Sequence, residues 1–110
     1  MEEIVFSIQG SAEIPYTVRF RKDGFNLSAS CSCPAGGVGQ YCKHRIRLLE
    51  GSEEGIVSEN MSSVRTVASW LSGTDVEVAL NAVRAAESRF EAAKSELAKT
   101  KKHLARTLTT

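Results

Sequence analysis

Three cysteines and a histidine crowd into one short window of this 110-residue chain: Cys31-Ser32-Cys33, eight intervening residues, then Cys42-Lys43-His44. No cysteine lies elsewhere, and an odd number confined to one window describes a ligand set rather than a disulfide framework. Zinc takes four nitrogen or sulfur ligands in a tetrahedron, and three thiolates with one imidazole form a closed structural set. Residues two apart on an extended strand project to the same side, so Cys31 and Cys33 can grip one ion. Cys42 and His44 would diverge within a regular helix, which predicts Cys42 just before a helix and His44 in its first turn. The helix amino terminus then faces the thiolates, and Lys43 and Arg45 are expected to offset the net negative charge of the site.

Other readings of the four residues are weaker. Free cysteines commonly fill cores as small hydrophobes, but they seldom cluster with a histidine at ligand spacing. A redox pair one residue apart would close a strained ring. A catalytic zinc keeps one position open, whereas four protein ligands fill the tetrahedron. The chain is therefore expected not to be an enzyme.

Hydrophobic periodicity places the window in a fold. Ile4, Phe6 and Ile8 alternate with polar or outward residues, as do Tyr16, Val18 and Phe20, which is the period of half-buried strands. Asp23 and Gly24 signal a hairpin turn. Phe25, Leu27, Ala29, Cys31 and Cys33 then share one face of a third strand that Pro34 ends. Residues 35–40, with three glycines, read as a flexible loop, and a short helix carrying Ile46, Leu48 and Leu49 stops at Gly51. A polar linker over 51–57 separates a first domain, 1–57, from a second, 58–110. In the second, Ser58 caps a helix with Met61, Val64, Ala68 and Leu71 as its apolar stripe, and Thr74 with Glu77 has the spacing of a capping box. The last helix repeats Val76, Val83, Phe90, Leu97 and Leu104 every seven residues, with Ala79, Ala86 and Ala93 three places later and Thr100 and Thr107 continuing that second seam.

The CxC and CxH pairs, with strands before CSC and a helix after YCKH, resemble the SWIM zinc-finger family over roughly residues 14–51. That resemblance implies one structural zinc held by Cys31, Cys33, Cys42 and His44, a ββα arrangement around it, and a role in binding DNA or other proteins. SWIM modules occur beside helicase-like ATPases, transposases and ubiquitin ligases, none of which this sequence contains.

The expected fold is α+β: a small antiparallel β-meander with a zinc-bound ββα module, followed by a helical hairpin with a long heptad arm. Two kinds of function fit it. Arg19, Arg21, Lys22, Lys43, Arg45 and Arg47 lie near the metal and suit phosphate contacts of a nucleic-acid-associated adaptor. The formal net charge of +1 supplies no overall basic excess, and Glu2, Glu3, Glu13, Asp23 and Glu50 share that half of the chain. The alternative is a protein-interaction module that binds no nucleic acid. A heptad helix of about 30 residues is a rod of ~45 Å, too long for the preceding helix to cover, which points to a homodimer through residues 75–108. The basic run near the carboxyl terminus, with His103, reads as a solvated helix end. With 42% hydrophobic residues and no apolar stretch of spanning length, the chain is expected to be a soluble cytoplasmic protein with no membrane partner.

Overall fold

The computed structural model describes residues 1–109. Three antiparallel strands, β1 (Glu2–Ile8), β2 (Tyr16–Asp23) and β3 (Asn26–Cys31), form a meander in the order β1-β2-β3. Helices follow: α1 (Pro34–Gly37), α2 (Lys43–Leu49), a 3-10 turn at Met61–Ser63, α3 (Val64–Trp70) and α4 (Asp75–Leu108). The class is α+β, as the periodicity predicts. Contacts divide the chain into Met1–Glu77 and Val78–Thr110, so the division falls well beyond the expected break near residue 57.

Within the first unit, alternation puts one face of the sheet in the core. Phe6 pairs with Val18, which pairs with Cys31, and Ile4 pairs with Phe20, which pairs with Ala29. Phe6, Val18 and Phe20 are completely buried, and the Phe6 and Phe20 rings meet edge to face at 6.2 Å. Leu48 and Leu49 of α2 and Val64, Val67 and Trp70 of α3 complete this core. The outer face is polar: Glu3 accepts from Arg19 Nη1 at 2.7 Å and from Arg21 Nε at 2.8 Å.

Four details depart from the periodicity. The β2–β3 turn centres on Gly24 and Phe25, not on Asp23 and Gly24. Gly24 adopts φ +60°, the left-handed conformation that suits glycine at the first central position of a two-residue hairpin, and Phe25 is left outside the strand and exposed. The glycine-rich stretch after Pro34 is not a simple loop, because Pro34 opens one helical turn, where a residue lacking its N–H is harmless. Residues of the expected linker run along β1: Gln9 N donates to Gly55 O at 2.8 Å and Val57 N to Ser7 O at 2.9 Å. Ser58 does not cap a helix. Its hydroxyl accepts from Ser7 N and donates to Asn60, and Asn60 donates in turn to Val5 O.

That tether delivers α3 to the sheet with Val64, Val67 and Trp70 inward, while Met61 is exposed. Of the expected stripe, Val64 is buried and Leu71 packs against the core, whereas Val67 and Trp70 take the inward positions beside them and Met61, set off by the 3-10 turn, does not. Thr74 caps α4 as its spacing predicts, accepting from Glu77 N at 3.3 Å, and the Glu77 carboxylate reaches back to Gly73 N. In the second unit, every residue from Arg84 to Thr109 is exposed. Among the described residues, no helix is long and apolar enough to cross a membrane.

Candidate metal centre

Each of the four residues of the opening motif sits at the end of an element. Cys31 closes β3, held in the sheet by its pairing with Val18. Ser32 continues the ladder beyond it, its N–H donating to Thr17 O at 3.0 Å and its hydroxyl accepting from Thr17 N at 2.9 Å. Cys33 is the N-cap of α1, and its sulfur accepts from Gly36 N at 3.2 Å. Cys42 is the N-cap of α2, extended at φ −133°, and His44 lies in the first turn of that helix. This is the arrangement that the CxH spacing demands.

The donor atoms converge. Cys33 Sγ lies 3.4 Å from Cys42 Sγ, and His44 Nδ1 lies 3.6 Å from Cys42 Sγ and 3.8 Å from Cys31 Sγ. All four fall within 4.8 Å of one another. A zinc tetrahedron with Zn–S near 2.3 Å and Zn–N near 2.0 Å has edges of about 3.8 Å between sulfurs and about 3.5 Å between sulfur and nitrogen. The site therefore fits zinc in donor type, number and spacing. The three sulfurs are buried, which closes the site to solvent on their side.

Burial raises the Cys31 thiol to about 12, helped by the thiols of Cys33 and Cys42 beside it. Burial pushes Cys42 the same way, but the Arg45 backbone N–H, Cys33, His44 and Cys31 together outweigh it and hold Cys42 down at about 6. The first turn of α2 thus supplies a backbone donor to the thiolate, as the helix amino terminus was expected to do. Cys31, Cys33, Cys42 and His44 would hold the ion, whose positive charge would favour the thiolate form of its sulfur ligands.

Three supporting residues escape a reading by motif. The Arg45 guanidinium donates to Ala29 O at 3.1 Å and Gln40 O at 2.6 Å, tying β3 to the segment that delivers Cys42. It serves as a clamp between backbone carbonyls rather than as the counter-charge expected for it. Tyr16 packs its ring against His44, with centroids 5.2 Å apart. Gly36 lets α1 lie on Cys31, since a Cβ there would come within 2.7 Å of Cys31 Cβ and 2.8 Å of its carbonyl oxygen.

Two results are expected from these contacts. Gly36→Ala forces backbone apart at the zinc site and should cost ~1–3 kcal/mol, with zinc affinity falling in parallel. Gly37→Ala, which meets nothing within 4 Å, should be neutral or stabilise the helical turn slightly. Chelator competition on the two variants checks the contrast. Arg45→Ala should cost ~1–2 kcal/mol in a denaturation series, and Arg45→Lys should not restore it, because an ammonium lacks the fork that reaches both carbonyls.

The six basic residues named for nucleic-acid contact do not form one surface. Arg19 and Arg21 project from the outer face of β2 and are engaged by Glu3, whereas Lys22 falls on the alternate face, in phase with Val18 and Phe20. Arg45 is turned inward. Lys43 and Arg47 line an open groove beside His44 with Gly10, Ser11 and Gly55.

A three-stranded meander with a closed Cys3His zinc site at the junction of strand and helix defines a small structural zinc module. Residues 16–50, about a third of the chain, match the family model of the SWIM zinc finger, and all four ligands lie inside the match. The site is thus that of one structural zinc in a SWIM-type segment. No curated protein and no solved structure matches the chain.

Proposed function

We propose that this chain is a non-enzymatic adaptor in which a zinc-stapled SWIM-type module presents a binding surface and the long carboxyl-terminal helix joins two copies. The observation that carries this reading is the apolar seam of α4, where Phe90, Leu97 and Leu104 are 66%, 54% and 59% exposed. Such a seam at heptad spacing is the recognition element of paired helices. The engagement of Arg19, Arg21 and Arg45 within the chain favours a protein partner over nucleic acid, since those charges already have acceptors. The filled ligand set leaves zinc no position for a substrate, in keeping with a binding role.

Sedimentation equilibrium of the zinc-loaded protein, run beside electrophoretic binding to duplex and single-stranded DNA across a salt series, tests the proposal. A concentration-dependent dimer is expected, with DNA binding no tighter than the ~10⁻⁶ M of non-specific contact. A monomer with tight, salt-sensitive DNA binding would overturn it and favour the nucleic-acid adaptor.

A further inference from the structure

We propose that two copies of this chain pair through α4 in antiparallel orientation, in the one register that seats Phe90 and Leu97 of each copy on Ala93 and Ala86 of the other. The proposal rests on the self-association reading above and adds direction and register to it.

Size complementarity sets the direction. One seam position of the heptad is large (Val83, Phe90, Leu97, Leu104) and the other is small (Ala79, Ala86, Ala93, Thr100). A parallel pair stacks like on like, so Phe90 meets Phe90 in one layer and Ala93 meets Ala93 in the next. Overfilled and underfilled layers would then alternate along the seam. An antiparallel pair crosses the two positions, so every layer holds one large and one small residue and the axes can approach to about 8 Å. The flanking layers obey the same rule, with Val83 facing Thr100 and Leu104 facing Ala79 of the second copy.

Charge sets the register. Arg89 and Glu96 flank the seam on one side, and Glu87 and Lys94 on the other. With the two-fold axis between Glu91 and Ala92, Arg89 of each copy faces Glu96 of the other, and Glu87 faces Lys94. Sliding one helix by a heptad in one direction puts Arg89 on Arg89 and Glu87 on Glu87. Sliding it the other way puts Glu96 on Glu96 and Lys94 on Lys94. A parallel pair sets Arg89 beside Lys94 and gains only Glu96 beside Lys101, so its flanking charges cancel where those of the antiparallel register all attract. Flanking charges select partner orientation in this way. All four side chains are exposed, and among the described residues no ion pair within the chain engages them.

Charge reversal on the full-length zinc-loaded protein tests direction and register together, with the dimer constant read by sedimentation equilibrium and helicity by circular dichroism. R89E and E96R should each weaken the dimer about tenfold or more, and the double variant R89E/E96R should return it to within about threefold of the parent. These are exposed helix positions, so unchanged helicity separates loss of pairing from loss of folding. If R89E leaves the dimer unchanged or tightens it, the antiparallel register is wrong although self-association stands. A parent that stays monomeric at every concentration removes the self-association reading and this proposal with it.

Discussion

Chelation of the zinc, or Cys33→Ser, is expected to unfold the unit spanning residues 1–77, seen as a red shift of the emission of Trp70, which lies in its core. The magnitude follows from how little else holds the ligand-bearing segments. α1 is four residues long and α2 seven, far below the ~12–15 residues at which a helix begins to stand alone. A single core in a unit of this size seldom contributes more than about 3–5 kcal/mol, whereas structural zinc in small domains contributes roughly 10–16 kcal/mol at neutral pH. The serine variant is informative because its hydroxyl can still accept the Gly36 N–H as a helix cap. What it removes is the thiolate. Acid should have the same effect as chelator. The thiol of Cys31, raised to about 12 by burial first and by its neighbours second, is protonated at neutral pH and must give up that proton to bind metal. Zinc uptake therefore releases protons, and affinity falls as pH falls. Below about 6 the proton returns to Cys42 as well and adds to the loss. Native Trp70 emission in a protein shown by mass spectrometry to be metal-free would refute the expectation.

The legibility of this site and the opacity of its surroundings have one physical origin. Zinc geometry is local: a CxC and a CxH pair can be recognised from spacing, and the structure brings Cys31, Cys33, Cys42 and His44 together, although Cys33 lies past the end of β3 as the cap of α1 and not on the strand expected for it. Strand alternation is equally local, so the faces carrying Phe6, Val18 and Phe20 were readable. Gly36 was not, because its role lies in an approach to Cys31 that no periodicity encodes, and a run of glycines reads as a loop. Arg45 carries a charge that reads as solvent-facing or ligand-facing until two backbone carbonyls are found beneath it. Residues 51–57 look like a linker by composition and Ser58 like a helix cap, yet Gly55, Val57, Ser58 and Asn60 hydrogen-bond along the edge of β1. That attachment is why α3 belongs to the first core and why the chain divides after Glu77. Tertiary contact, not propensity, decides each of these cases.

Phe6→Ala is expected to lower zinc affinity by roughly two to four orders of magnitude, although Phe6 touches no metal ligand through its backbone pairing. Phe6 is wholly buried, edge to face with Phe20, and lies on the rung that runs through Val18 to Cys31. Truncating a buried phenylalanine costs about 3–5 kcal/mol. In a module that is unfolded without metal, zinc binds only the folded form, so a loss of folding energy appears in full as a loss of apparent affinity. Each ~1.4 kcal/mol is a factor of ten, which gives the range. The control is Phe25→Ala, since Phe25 sits at the hairpin tip and is 81% exposed; it should change stability by no more than about 0.5 kcal/mol and leave zinc binding as it is. Competition titrations with a chromogenic chelator, on both variants and the parent, read the difference directly. Equal affinities for the parent and Phe6→Ala would mean that the four ligands form their tetrahedron without the sheet, and that the metal and the core are independent. Unequal affinities in the expected direction mean that the sheet is part of the zinc site, because it fixes the strand end from which Cys31 projects.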